Sequence, residues 1–269
     1  DTAKKIVLDG VQISPSGAED VLSYARPETI KAYKEKMKAT GLVVSGLGIT
    51  VGNQCPLATD PRAVKWLEQT IDATAELGAS AILMAFFGKG DMRAKSGGGG
   101  GKKGKKGKKD KKPEAPVKPV AATASGLKQK EFDGIVARLK QVASRAADKG
   151  VTLGLENTLS AKQNIEIMDA VGSPVVQVYY DIANSTRGGY DVPAEIRLLK
   201  GRINEFHFKE NKGGFPDGSI KMDPIVAAIK ETGYQGWLTL ERSFGEQIAY
   251  FSKNAKWIRK TFGLKTPSY

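Results

Sequence analysis

The chain has 269 residues, 40% of them hydrophobic, with a single cysteine (Cys55), a single histidine and a formal net charge of +13. This length fits one large α/β domain or two small ones. A lone cysteine excludes an intrachain disulfide, and no apolar run approaches the roughly 18–20 residues of a membrane span. The charge is local: residues 89–126 hold eleven Lys and one Arg against Asp91, Asp110 and Glu114, a net +9, which leaves only +4 for the rest.

Residues 2–6 read as the last turn of a helix, and 7–14 (VLDGVQIS) as a strand. A helix is expected over 27–41, with Pro27 near its start and Gly41 at its end. Strand 42–51 follows, then a helix over 62–78 introduced by Asp60-Pro61, and a strand over 79–88 (ASAILMAFFG). Helix 129–150 leads to strand 151–157 (VTLGLEN), and 161–171 is helical. Strand 175–184, a short helix at 193–200, strand 203–210, helix 223–233, strand 234–242 and a final helix over 245–262 complete the series. Tyr250, Phe251, Trp257, Ile258 and Phe262 in that last helix recur at helical spacing, as a face packed on the sheet does.

Seven strands alternating with helices predict a parallel sheet with right-handed crossovers. A closed (β/α)₈ barrel needs eight strands, and the count is one short at the N-terminus. The expectation is a TIM (β/α)₈-type barrel over 1–269 lacking its first strand, with an open doubly wound sheet as the alternative. Asp1 is not preceded by Met or a signal sequence, so an upstream segment is expected. The protein is expected to be soluble, either cytoplasmic or exported after removal of an N-terminal segment, with room for homo-oligomerisation.

Residues 89–126 combine Gly, Lys, Pro and Ala with almost nothing apolar, so they are expected to form a disordered insert leaving from a strand end. No aromatics interleave the lysines, which argues against nucleic acid as a partner.

Four successive strands each deliver, towards their C-terminal ends, a group able to bind a metal: Glu156, Asp181, His207 and Glu241. In parallel α/β folds, ligands gather at the C-terminal strand ends. Three carboxylates and one imidazole suit Mn²⁺, Mg²⁺ or Co²⁺ better than a structural zinc site, which prefers Cys and His.

The segments GLEN, YYDIAN, FHFKE and GWLTLER, in this order, resemble the xylose isomerase-like TIM-barrel superfamily of sugar isomerases and epimerases, and within it the ketose 3-epimerase and hydroxypyruvate isomerase group. The resemblance runs from Val7 to Phe262, insert excluded. It implies one divalent cation, most often Mn²⁺, on Glu156, Asp181, His207 and Glu241, with Glu156 and Glu241 as the acid/base pair acting on a carbohydrate. The expected chemistry is proton abstraction beside a ketose carbonyl through a cis-enediolate.

Two positions depart from the family pattern. Asn184 stands where the family often has a substrate-touching His, and His-x-Lys-Asp is written here as His207-Phe208-Lys209-Glu210. Asn184, Lys209 and Arg187 are candidate substrate contacts, with Arg242 a weaker one. A related sugar lyase or dehydratase, or a non-catalytic carbohydrate-binding barrel, are the alternatives. A trinuclear nuclease site is excluded because it needs several histidines.

Overall fold

The computed structural model describes residues 3, 6–94, 121–210, 213–241 and 247–267. Its strands are β1 (Gly10–Ile13), β2 (Val43–Ile49), β3 (Ala81–Ala85), β4 (Thr152–Glu156), β5 (Val176–Asp181), β6 (Ile203–Phe208) and β7 (Trp237–Leu240). They form one sheet in chain order, and every neighbouring pair is parallel. The helices are α1 (Pro27–Thr40), α2 (Ala63–Glu76), α3 (Gln129–Asp148), α4 (Ala161–Val171), α5 (Ile182–Arg187), α6 (Val192–Leu198), α7 (Met222–Glu231) and α8 (Gln247–Phe262). The sheet curls into a TIM-type barrel that is nearly closed, and β1 and β7 share no ladder among the described residues. This is the seven-stranded arrangement expected for a barrel short of one strand.

The periodicity of each strand explains its two faces. On β3, Ile82 and Met84 join Leu153 and Leu155 of β4 and Val178 and Tyr180 of β5 in the large core beneath the helices. The alternate residues, Leu83 and Ala85 with Tyr179 of β5, form a small cluster on the other face, inside the barrel. Trp66, Leu67 and Ile71 of α2 are fully buried. Each such side chain contributes about 1.5–3 kcal/mol. The interior is narrow: a methyl on Gly154 would come within 2.5 Å of the Asn204 side chain.

The elements depart from expectation in three places. The stretch 175–184 is not all strand: β5 stops at Asp181, whose side chain accepts from Asn184 N and caps α5. A carboxylate at N-cap satisfies the free amides of a first turn, so the residue that ends the strand also starts a helix. Second, residues 89–94 and 121–126 of the expected disordered insert are ordered. Arg93 pairs with Leu127 and Ala122 with Lys128 in antiparallel bridges, while Met92 and Leu127 are buried and anchor this stem. The bulk of the proposed insert, residues 95–120, lies outside the described residues, as do Thr2, Lys4 and Lys5 of the expected first turn. Third, the strands at 7–14 and 234–242 are shorter than expected, because Val7 has a positive φ of 56° and Tyr234 donates from its hydroxyl to Asn204 O and Trp237 O.

Helix α8 crosses the side where β1 and β7 fail to meet. Its Phe262 packs edge-on to Phe208, and its Arg259 donates to the Val7 carbonyl at 3.1 and 2.9 Å and pairs with Asp9. From β7, Trp237 reaches towards β1: a methyl on Gly10 would stand 3.2 Å from its ring.

Candidate metal centre

Register brings the four strand-end groups to one level. Ala85 is paired with Glu156, Asp181 with His207, and His207 with Thr239, two residues before Glu241. Parallel strands in register with the same side-chain parity put these groups on the inner face at the C-terminal rim. One ligand atom from each of Glu156, Asp181, His207 and Glu241 lies within 4.8 Å of the others. The first three are buried and Glu241 is partly exposed.

His207 sits at the middle of the cluster. Its Nδ1 lies 3.0 Å from Glu156 Oε1 and 3.3 Å from Glu241 Oε2. Its Nε2 lies 3.2 Å from Gln12 Oε1, and the Tyr179 ring packs edge-on with centroids 4.5 Å apart. Burial alone would push the His207 imidazolium down. The surrounding Glu156, Glu241 and Asp181 carboxylates outweigh it and raise the group to about 9. Asp181 is raised to about 6, chiefly by burial and further by Glu156, against the pull of His207. Burial also pushes Glu241 up, but His207 and Lys209 hold it below the usual carboxylate range.

This donor set fits a divalent cation. Asp181 Oδ2 is buried without a hydrogen-bond partner, and Glu241 Oε2, though close to Nδ1, is not aligned to accept from it. Buried carboxylate oxygens are costly unless paired or metal-bound. Three carboxylates and one imidazole nitrogen are the ligands that Mn²⁺, Mg²⁺ and Co²⁺ accept.

The candidate substrate residues divide. Lys209, on the inner side with His207, places Nζ 2.9 Å from Glu241 Oε1. Asn184 lines the same cavity from α5 and takes a hydrogen bond on Oδ1 from Arg187. Arg187 itself is exposed and reaches the site only through Asn184. Arg242 lies outside the described residues. Glu210 points away and accepts from Ile220 N at 2.9 Å. A cavity of about 1550 Å³ opens over the rim, lined by Glu156, His207, Glu241, Lys209, Asn184 and Asn53, and runs down between β1 and β7.

Gln12 and Tyr179 were not singled out from the sequence.

A parallel β/α barrel with an oxygen-rich, metal-competent rim defines the class of protein. A family model described as "Xylose isomerase-like TIM barrel" matches residues 1–261, and the chain belongs to that family. Among curated proteins, an inosose dehydratase of Geobacillus thermodenitrificans (strain NG80-2) is 24% identical over 171 residues. That match covers 51% of this chain and 56% of the relative, so the chain spans about half the length of the curated relative. Among solved structures, an L-ribulose 3-epimerase superposes with a TM-score of 0.69 at 19% identity, covering 97% of this chain and 86% of that one. A D-allulose 3-epimerase from Methylomonas sp., in complex with D-allulose, gives 0.69 at 15% identity, covering 97% and 88%.

Proposed function

We propose that this protein is a divalent-metal-dependent sugar isomerase or epimerase that moves a proton beside a ketose carbonyl. The observation that carries the reading is the convergence of Glu156 and Glu241 on His207 Nδ1, at 3.0 and 3.3 Å, at the mouth of one cavity. Glu156, Asp181, His207 and Glu241 would hold the cation, with Mn²⁺ favoured over Mg²⁺ or Co²⁺. When bound, it supplies polarisation of the substrate carbonyl, which makes the neighbouring C–H acidic.

The chain's own residues do the rest. One of Glu156 and Glu241, entering ionised, takes the carbon-bound proton and leaves an enediolate on the sugar; the other, entering protonated, returns its own proton to the opposite face. Glu241 is held in its ionised form by Lys209 and His207, as a base requires. Asn184 and Lys209 donate to sugar oxygens from the rim.

Solvent deuterium incorporation into a panel of ketoses in the presence of Mn²⁺ tests the proposal. Exchange at the carbon next to the carbonyl is expected in the wild type and not in Glu156→Gln or Glu241→Gln. Turnover at the wild-type rate in either variant overturns the two-carboxylate mechanism.

A dehydratase is the second reading. Lys209 Nζ, 2.9 Å from Glu241, is placed to give a proton to a leaving hydroxyl once the adjacent carbon is deprotonated. Loss of water from the same substrate panel separates it from epimerisation.

A further inference from the structure

The geometry points to Gln12 as the residue that decides which nitrogen of His207 meets the cation: its carbonyl holds the ring proton on Nε2, leaving the Nδ1 lone pair for the metal. This rests on the metal-dependent reading above.

A neutral imidazole carries its proton on one nitrogen and can coordinate through the other. In His207 the two nitrogens face different surroundings. Nδ1 looks into the carboxylates of Glu156 and Glu241, where a cation would sit, and Nε2 looks towards β1, where Gln12 Oε1 waits at 3.2 Å. With the proton on Nε2, the N–H donates to Gln12 Oε1 and the lone pair on Nδ1 points among the carboxylates. With the proton on Nδ1, an N–H would occupy the place of the ion and the only free lone pair would face away from it.

The orientation of a glutamine amide has to be settled by its partners. Turned the other way, the Gln12 NH₂ would donate to Nε2 and impose the unproductive tautomer. Oε1 towards Nε2, as the 3.2 Å contact has it, leaves Nδ1 as the nitrogen that faces the Glu156 and Glu241 carboxylates. The backbone supports this aim, because the pairing of β1 with β2 shifts register between Val11 and Gln12, and such irregularities re-aim a side chain next to a site. The ring cannot turn away, since Tyr179 packs edge-on against it and His207 is buried.

The choice of an amide also has a chemical sense. A carboxylate at this position would hold the same tautomer, but it would add a fourth negative charge to a buried group of three. Gln12 accepts the hydrogen bond without changing that balance. It is a positioning residue: it acts on the cation only through His207.

His207 is the only histidine of the chain, so ¹⁵N-histidine labelling of these 269 residues yields one imidazole spin system. In protein loaded with a diamagnetic divalent cation (Mg²⁺, or Zn²⁺ where Mg²⁺ does not saturate), long-range ¹H–¹⁵N spectra should show Nε2 protonated and Nδ1 bound. Calorimetric titration with Mn²⁺ should show Gln12→Met binding about 10–100-fold more weakly, the usual effect of losing such an outer partner. Gln12→Glu, which keeps the acceptor, should bind at least as tightly as the wild type. A proton on Nδ1 in the loaded wild type overturns the inference, as does wild-type affinity in Gln12→Met. If Gln12→Met does not fold, the wild-type spectrum and Gln12→Glu still decide. A wild type that takes up no cation at all would overturn the functional proposal as well, whereas a bound cation with the wrong tautomer defeats this inference alone.

Discussion

Lys209 and Glu241 form an ion pair at the barrel rim, Nζ to Oε1 at 2.9 Å, with their side chains only 13% and 33% exposed. At that burial the pair is shielded from solvent enough to shape the chemistry of the carboxylate, unlike the open pairs on the helices, which contribute little. Lys209 is one of the groups holding the Glu241 carboxyl below its usual range. Removing it in Lys209→Met removes a downward influence, so the Glu241 pKa rises and its basic form is lost at a higher pH. The acid limb of the pH profile of kcat/KM should move upward relative to wild type. An unmoved limb would show that Glu241 is not the titrating base.

Metal uptake should release a proton. His207 is raised to about 9 without a cation, so at pH 7 it is protonated and must deprotonate to coordinate. Affinity for Mn²⁺ should climb as pH rises from 7 towards 9, with about one proton released per ion at pH 7 when titrations in buffers of different ionisation enthalpy are compared. The linkage to stability has the opposite sign. Because the folded pKa of His207 lies above the unfolded value of about 6.5, its contribution to the metal-free fold is complete below pH 6.5 and is lost as pH passes through 9. His207→Ala and Asp181→Asn should bind no stoichiometric metal and should show no rise in Tm with Mn²⁺. In the wild type, an ion at a hundred times its Kd adds about 2.7 kcal/mol.

Arg259 should matter to stability well beyond an ordinary surface arginine. It donates twice to the Val7 carbonyl and pairs with Asp9, with its own side chain 10% exposed. Hydrogen bonds to a charged group contribute about 1.5–3 kcal/mol each. Arg259→Ala should lower the unfolding free energy by about that amount in chemical denaturation, since the two bonds share one acceptor. Arg259→Lys should recover less than half, because an ammonium cannot reproduce the forked contact. Loss below about 0.5 kcal/mol would mean the contact is not maintained in solution.

The lysine-rich segment should be separable from the fold. Ala94 N donates to Gly126 O and Gln129 N to Ala121 O, at 2.9 and 2.8 Å, so the chain leaves and returns through a paired stem. A short Gly/Ser linker in place of residues 95–120 should leave Tm nearly unchanged, because long loops are closed at small cost. Deuterium exchange into substrate should persist. A fall in Tm of many degrees would show that the segment packs on the barrel.

Much of this molecule was legible before its structure. Buried parallel strands write themselves as short apolar runs, so Ala81–Ala85 and Thr152–Glu156 stood out, and the carboxylate closing the second marked the rim. Glu156, Asp181, His207 and Glu241 were readable because each stands at or near the end of such a run. Helix α5 was hidden because Ile182-Ala183-Asn184 continues the apolar pattern of β5, and only the cap made by Asp181 reveals the break. The stem at 88–94 and 121–128 was missed because composition over a window averages away Met92 and Leu127, which are enough to anchor it. Gln12 escaped because a neutral amide announces no chemistry of its own; its importance comes from the ring it meets, which is 195 positions away.

His207 touches both margins of the curled sheet. Through Nε2 it meets Gln12 on the first strand, and through Nδ1 it approaches Glu241, just past the last. No ladder joins those margins among the described residues, so at the rim this one imidazole works as a clasp on a split hoop. Whatever settles beside Nδ1 therefore tightens the hoop as well as arming the chemistry. A centre that loosens would let the two margins spread, and the geometry needed to move a proton would be lost before any ligand itself was changed.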